Sequence, residues 1–273
     1  MRAKWMLPLL AFLLTAQVPA QTVAAQSDQQ AITLANQAQI ALTGGNAISD
    51  AVLSGAVTRL AGSDRENGNV TLKGTGESRI DLALSSTFSE VRNDALGPGS
   101  WFGSDQTWHA MALHNCMTDA AWFFPALSSL MLTSNPAVLF TYVGQESQNG
   151  LAVQHIRVSR PASAPLFTHL STMDFYLDAS SLLPLSVSFA LHPDNDAAQD
   201  IRTEIRFANY QTVSGIRVPF RIQKLVQGSL FLDLTVTSVA VNTGLTDSDF
   251  TVAASRRDFP CKHEIFARLL LAF

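Results

Sequence analysis

The stretch Thr172-Met-Asp-Phe-Tyr-Leu-Asp-Ala-Ser-Ser-Leu-Leu-Pro184 decides the fold, and Phe207-Ala-Asn-Tyr-Gln-Thr-Val-Ser-Gly-Ile-Arg-Val-Pro-Phe220 echoes it. In both, a strand-like segment ends in a short polar turn and restarts at a hydrophobic-Pro pair. Phe175 and Leu177 alternate with polar neighbours, which is the period of two expected of antiparallel strands with one apolar face. The pattern indicates a curved meander of strands, and no catalytic motif interrupts it.

Alternation and turn signals continue on both sides of this stretch, from residue 50 to residue 241. The clearest hairpin joins 137–147 to 151–159, because Asn-Gly supplies the positive φ angles of a tight turn. Counting short segments such as 100–103 and 106–111, we expect about eleven strands. The fold class is therefore mainly β (α+β), a curved antiparallel half-open barrel of about eleven strands covered by two or three helices.

Two segments break the β rhythm and predict helices. Residues 28–42 place apolar residues at helical spacing, with Asp28 as the N-cap and Gly44 just after the end. Residues 118–132 are apolar nearly all round, so a helix there must be covered or must cover something. The segment 161–165 is expected to be a long loop.

The composition is apolar for an ordinary globular chain. Among 273 residues, 47% are hydrophobic and only 15% are charged, against roughly 25% charged in typical soluble domains. This indicates a large apolar interior or an apolar surface that binds something.

Residues 1–25 have the composition of a secretory signal peptide. Arg2 and Lys4 precede the apolar run 5–14, and small residues at 18–20 and 23–25 offer two cleavage points. The run is too short for a transmembrane helix, which needs about 20 apolar residues. Cleavage would move the net charge from −4 to −6, because Arg2 and Lys4 are lost. We therefore expect an exported protein with no general attraction for nucleic acid or anionic lipid.

The rest of the chain is expected to form a single domain over 26–255, followed by a tail at 256–273. Cys116 and Cys261 are both in the exported part, where a disulfide can form, but two separate buried thiols are an equal alternative. The apolar tail end, 264–273, could be a helix docked on the barrel, a helix on a membrane surface, or the last strand of an outer-membrane barrel.

Catalytic and metal signatures are absent from the sequence. No His-Glu-x-x-His, Cys-x-x-Cys, Gly-x-Ser-x-Gly or Walker-type loop occurs. We expect His109 and His114 to be ordinary histidines that bind no metal ion. The acidic loop around 194–200 is expected to be solvated, since it lacks the glycine and the distal glutamate of an EF-hand. Asp174 and Asp178 lie about 13 Å apart along one strand face, too far for paired carboxylate catalysis. We expect no enzyme, no cofactor and no metal site.

Aromatic residues are spread over nearly every predicted element. They form either a packed core or the lining of an acyl-chain cavity, since a sheet of about eleven strands encloses more space than its side chains fill. The candidate cavity residues are Trp101, Trp108, Phe140, Phe175, Phe189, Phe207, Phe220 and Phe231.

Three groups of residues resemble the LolA/LolB-like periplasmic outer-membrane lipoprotein-sorting (lipoprotein carrier) family, over roughly 135–252. They are Phe175-Tyr-Leu-Asp178 followed by Leu183-Pro184, then Tyr210 with Val213-Ser-Gly215 and Val218-Pro219, then Val239-Ala-Val-Asn242 with Leu245, Asp247 and Phe250. In that family a strand ending in aspartate leads through a turn to Leu-Pro, and a later strand carries Tyr, Gly and a hydrophobic-Pro pair.

The resemblance implies an incomplete, strongly curved barrel with helices plugging its open side, around a cavity that accepts acyl chains. It implies a monomeric periplasmic carrier whose partners are lipoprotein acyl chains or lipid, and transfer components of the inner or outer membrane. Envelope scaffolds and stress sensors share this fold, so a non-carrier role is the alternative.

Overall fold

The computed structural model describes residues 26–85, 87–92, 99–148 and 150–252. The signal peptide, Cys261 and the tail at 256–273 lie outside the described residues and stay predictions.

Thirteen strands form one antiparallel sheet. Their order is β6-β5-β4-β3-β2-β1-β13-β12-β11-β10-β9-β8-β7, so the sheet is open, with β6 and β7 at its edges. The sheet consists of two meanders, β1 to β6 and β7 to β13, joined where β1 pairs with β13. The strands are β1 (Ala51–Ala61), β2 (Asp64–Gly74), β3 (Ser78–Ala83), β4 (Phe88–Arg92), β5 (Gly99–Phe102), β6 (Trp108–Ala110), β7 (Leu139–Gln148), β8 (Leu151–Ser159), β9 (Met173–Asp178), β10 (Pro184–Leu191), β11 (Ile201–Val213), β12 (Ile216–Val226) and β13 (Ser229–Val241).

The predicted mainly β class is confirmed, but the count of about eleven strands is wrong. The described residues contain thirteen, and the short segments expected at 100–103 and 106–111 are among them as β5 and β6. Two α-helices accompany it, α1 (Gln29–Thr43) and α2 (Pro165–Leu170). The loop expected at 161–165 therefore ends where α2 begins, at Pro165. Proline suits the first position of a helix, because the backbone N–H there has no partner within the helix. No helix within the described ranges has the length and apolarity that a membrane span requires.

The helix predicted at 118–132 is absent. Residues 112–132, here called the plug segment, form turns and short 3-10 helices, and most of them are buried. The guanidinium of Arg92 donates to the carbonyls of Asn115 and Thr118, at 2.6 and 3.3 Å, and Ser129 N–H donates to Asp119 Oδ2 at 2.8 Å. Side chains therefore satisfy backbone groups that a helix would have paired, which allows irregular backbone to be buried.

Helix α1 covers part of the sheet and packs against β7 and β12. Its ends match the prediction, since Asp28 accepts from Gln30 N–H at 2.8 Å and Gly44 adopts a left-handed φ of 59°. Its buried stripe is Ala31, Ala35, Ala38 and Leu42, each 0% exposed. Small side chains let this helix lie close to the strands, so it seals the surface beneath it.

The two echoed turns meet in space. In the first, Asp178 Oδ1 accepts from the backbone N–H of Ser181 at 2.7 Å, and the chain restarts as β10 at Pro184. In the second, Ser214 and Gly215 both have positive φ, as a two-residue hairpin turn requires. The hydroxyl of Tyr210 donates to the carbonyl of Pro184 at 2.8 Å, so the resembling residues form one unit.

The sheet is strongly curved. A single buried cluster contains Ile80 of β3 and Val158 of β8, which lie in different meanders, so the sheet must wrap around a shared interior. At Gly55 an added Cβ would lie 2.1 Å from the carbonyl oxygen of Thr235, and the register of β1 and β13 shifts beside it. Glycine thus permits the close strand approach that accompanies a bend.

Candidate functional site

The eight candidate aromatic residues occupy three kinds of position in the structure. Phe140, Phe175 and Phe207 are at most 4% exposed and pack in the core cluster with α1 and the plug segment. Phe220 is half-buried against the same cluster, and Trp108 is half-buried beside Phe102, with ring centroids 5.5 Å apart. Trp101, Phe189 and Phe231 instead line one cavity.

This aromatic cavity has a volume of about 360 Å³ and lies on the concave side, between β4 and β5 on one side and β10 to β13 on the other. Its walls are mainly apolar, and its charged residues are few. The lining comprises Glu90, Arg92, Trp101, Met111, Asn115, Phe189, Leu191, His192, Asp194, Ile201, Lys224, Val226 and Phe231.

A strand irregularity places Phe231 in the cavity wall. Lys224 pairs with Leu232 and Leu225 pairs with Leu230, which leaves Phe231 as an extra residue in β13. Such a bulge redirects a side chain that strict alternation would send to the other face. The guanidinium of Arg59 lies 5.7 Å from the centre of the Phe231 ring.

Lys224 supplies a positive charge deep in the cavity. It occupies an inward position of β12, between Ile222 and Val226, and its Nζ lies 5.1 Å from the centre of the Trp122 ring. Burial lowers the pKa of Lys224, and attraction to Glu90 offsets part of this effect. An ammonium held in apolar surroundings gains from an anion that enters the cavity.

Arg92 adds a second cation to the cavity wall. It is 3% exposed, and its Nη atoms are bound to carbonyl groups of the plug segment. Its Nε is buried and has no hydrogen-bond partner within the described part of the chain. The cavity thus combines an apolar wall with two cations, one of which has an unused donor, and with the carboxylates of Glu90 and Asp194.

The structure adds Lys224, Arg92 and Glu90 to the residues predicted for the cavity. A signal for Lys224 was present, because Ile222, Lys224 and Val226 alternate in a segment correctly predicted as a strand, which puts a charge on the apolar face. Arg92 carried no such signal, since its role depends on contacts with residues more than 20 positions away.

A second cavity of about 530 Å³ lies between the end of α1 and the plug segment, and is lined by residues that include Gln39, Asn46, Asp119 and Arg160. It contains none of the candidate aromatic residues. Burial raises the pKa of Asp119, and the hydrogen bond from Ser129 N–H offsets part of this rise. Its lining therefore combines these polar groups with apolar residues such as Ala121, Leu127 and Met131.

The other candidates do not form a catalytic group. Cys116 is 1% exposed and burial raises the pKa of its thiol, so its reactivity is low; its pairing with Cys261 stays a prediction. Asp174 lies on the outer face, where it accepts from His155 Nε2 and Arg157 Nε, each at 2.8 Å. Asp178 serves the turn after β9.

Sequence comparison identifies no relatives for this chain. No family model matches it, and no curated protein matches it.

Comparison with solved structures gives similar folds. A domain from Vibrio parahaemolyticus described as an outer membrane lipoprotein-sorting protein aligns with a TM-score of 0.54 and 14% identity, over 82% of this chain and 97% of that one. A LolA-superfamily protein from Nitrosomonas europaea gives a TM-score of 0.53 at 11% identity, covering 81% and 97%. A DUF1329-family protein from Desulfovibrio piger gives 0.52 at 10% identity, covering 83% and 98%. At these identities the likeness concerns the fold, and the chain has a LolA-like fold.

Proposed function

We propose that this protein is an exported periplasmic carrier that binds the acyl chain of a lipoprotein, or another amphiphile, in the aromatic cavity without covalent chemistry. The observation that carries the proposal is the cavity itself, an apolar-walled space of about 360 Å³ with Lys224 and Arg92 in its wall. Its size is typical of sites for small molecules, which span about 300–1,000 Å³.

Apolar contact supplies the affinity in this proposal. Each buried methylene contributes about 0.8 kcal/mol, so an acyl chain binds well to aromatic and aliphatic walls alone. The LolA-like fold and the sequence of residues 1–25 support a role in the periplasm. Components of the inner or outer membrane that load or unload such a carrier are part of the same proposal.

One observation favours a second candidate, an envelope scaffold or stress sensor that binds no lipid. Much of the concave side is filled by the protein's own α1 and plug segment. In that case the tail would contact a partner, and truncation after Ser255 would remove that contact while leaving any lipid binding intact.

Displacement of a fluorescent fatty acid tests the carrier proposal. Phe231→Gln removes apolar wall without adding charge, and we expect it to weaken binding about tenfold or more, since burying such a side chain is worth about 1.5–3 kcal/mol. Leu151→Gln is the matched control, because Leu151 is 51% exposed on a hairpin away from the cavity.

Unchanged binding in both Phe231→Gln and Trp101→Gln would exclude the aromatic cavity as the site. Native mass spectrometry of the purified protein provides a direct check, because an occupied cavity should yield a co-purified lipid.

A further inference from the structure

Three imidazoles and a carboxylate converge beside the aromatic cavity from four separate segments. His114 lies in a 3-10 turn of the plug segment, His169 in α2, His192 directly after β10, and Asp200 directly before β11. These are three of the six histidines in the chain. The alternation of apolar and polar residues explains the sheet, but it does not explain why half of the histidines meet at one place.

His169, His192 and Asp200 each offer one ligand atom, and these atoms all lie within 4.8 Å of one another. His169 Nε2 is 2.9 Å from Asp200 Oδ1, and His192 Nδ1 is 3.6 Å from the same oxygen. A tetrahedral zinc ion with bonds of about 2.0–2.1 Å separates its ligand atoms by about 3.3 Å. Small side-chain movements would therefore bring all three onto one ion.

His192 differs from a buried histidine with a purely structural role. His155 uses both ring nitrogens, at 2.6 Å from Glu146 Oε1 and 2.8 Å from Asp174 Oδ1. The His192 side chain is 0% exposed, yet its Nε2 has no partner within the described residues, and its Nδ1 is 3.2 Å from the carbonyl of Gln199. The nitrogen that faces Asp200 is Nδ1, so a metal ion bound there would replace the contact with Gln199, and Nε2 would carry the ring proton.

The surroundings of His192 restrain its ring. His114 contacts it edge to face, with centroids 5.8 Å apart, and His114 Nε2 lies 3.0 Å from the carbonyl of Pro193. His169 and Asp200 are 49% and 50% exposed, so an ion from solvent can reach the cluster. The cluster thus has a buried, fixed ligand and two accessible ligands.

We propose that His169, His192 and Asp200 bind one divalent transition-metal ion, and that zinc fits this donor set best. Two imidazoles and one carboxylate with a water molecule satisfy the four-coordinate preference of zinc. The bound ion would tie α2 to the end of β10 and the start of β11. Because His192 also lines the aromatic cavity, the ion would lie next to the cavity wall.

Calorimetric titration of the purified protein, prepared without a histidine tag, with zinc chloride at neutral pH tests this proposal. We expect one equivalent to bind and the melting temperature to rise by several degrees. His169→Ala and Asp200→Asn alter exposed side chains, so the fold should persist, and each should weaken zinc binding more than about tenfold.

The matched control is His109→Ala. His109 Nε2 lies 2.8 Å from Asp105 Oδ2 in an exposed pair of similar geometry, and no other histidine of the described residues joins this pair in a metal-binding group. We expect zinc binding to be unchanged in this variant. The visible absorption bands of bound Co²⁺ give a second readout, which should disappear in His169→Ala and persist in His109→Ala.

Three results would overturn the proposal. One is a protein that binds no zinc at saturating concentration. Another is a protein whose zinc affinity is the same in His169→Ala, Asp200→Asn and the wild type, which would place the ion elsewhere. The third is an equal loss of affinity in His109→Ala.

Discussion

The concave interior has a sealed half and an open half, and both are built from aromatic residues on the same sheet. In the sealed half, Phe140 and Phe175 are 0% and 1% exposed and pack in one cluster with α1 and the plug segment. In the open half, Trp101 and Phe231 are half-buried and border a cavity. The difference shows that the aromatic residues of a strand form a packed core where α1 or the plug segment covers them, and line a cavity where neither does.

The largest expected effect is a difference in stability between variants of the sealed half and variants of the open half. Phe140→Ala should lower the free energy of unfolding by about 3–5 kcal/mol, because it leaves a void in a sealed core. Phe231→Ala should cost clearly less, since its side chain already borders open space. Urea denaturation of both variants measures the contrast, and equal losses would mean that the two halves are packed alike.

Lys224→Met tests whether the charge in the open half contributes to ligand binding. The variant removes a cation that burial disfavours, so the free protein should become more stable, while affinity for a fatty acid should fall about tenfold. Affinity for the fatty alcohol of equal chain length should not fall. Lys73→Met is the control, because Lys73 pairs with Asp249 outside the cavity. A parallel loss for acid and alcohol would show that Lys224 acts through packing.

The stability of the protein should depend on pH through His155 and Asp174, which lie on the outer face of the sealed half. Burial lowers the pKa of His155, but hydrogen bonds to Asp174 and Glu146 outweigh it and raise the pKa above 6.5. Burial likewise raises the pKa of Asp174, but its bonds from His155 and Arg157 hold that pKa below 3.8. Stability from His155 is therefore full below pH 6.5 and is lost as pH rises through the raised value, whereas stability from Asp174 is lost as pH falls below 3.8.

The measurement is the free energy of unfolding of wild type and His155→Gln as a function of pH. The difference should be greatest between pH 3.8 and pH 6.5 and should shrink at alkaline pH. His109→Gln, in an exposed pair, should show little difference across the range. A difference that grows at alkaline pH would contradict the assigned hydrogen bonds.

The smallest expected effect concerns the link between the two echoed turns. Tyr210→Phe removes the hydrogen bond to the carbonyl of Pro184 and should cost about 1 kcal/mol. Burial raises the pKa of Tyr210 well above 10, so the cost should be constant across neutral and moderately alkaline pH. Thermal unfolding of the variant at two pH values checks both statements.

Much of the sheet could be predicted from the sequence, because its signals are local. The alternation of Phe175 and Leu177, the hairpin turn at Gly150 and the cap at Asp28 each depend on a few neighbouring residues. The two shortest strands, β5 and β6, were among the predicted segments, at 100–103 and 106–111, although the total of about eleven was too low.

The plug segment could not be predicted for the opposite reason. Its apolar composition indicated burial correctly, but its conformation depends on Arg92 and on the pairing of Asp119 with Ser129. The aromatic cavity could not be predicted for the same reason, because Trp101 and Phe231 line it only where α1 and the plug segment leave them uncovered. Lys224 was the exception, since its position on an apolar face was visible in the sequence.

The pairing of β1 with β13 also has a consequence for the time course of folding. Residues 51–61 find their partner at residues 229–241, so the first meander cannot join the second until nearly the whole described chain is available. Contacts of such wide sequence separation make folding slow. Under the proposed export, such a delay would be an advantage, because the two halves of the chain stay apart until the last strand arrives.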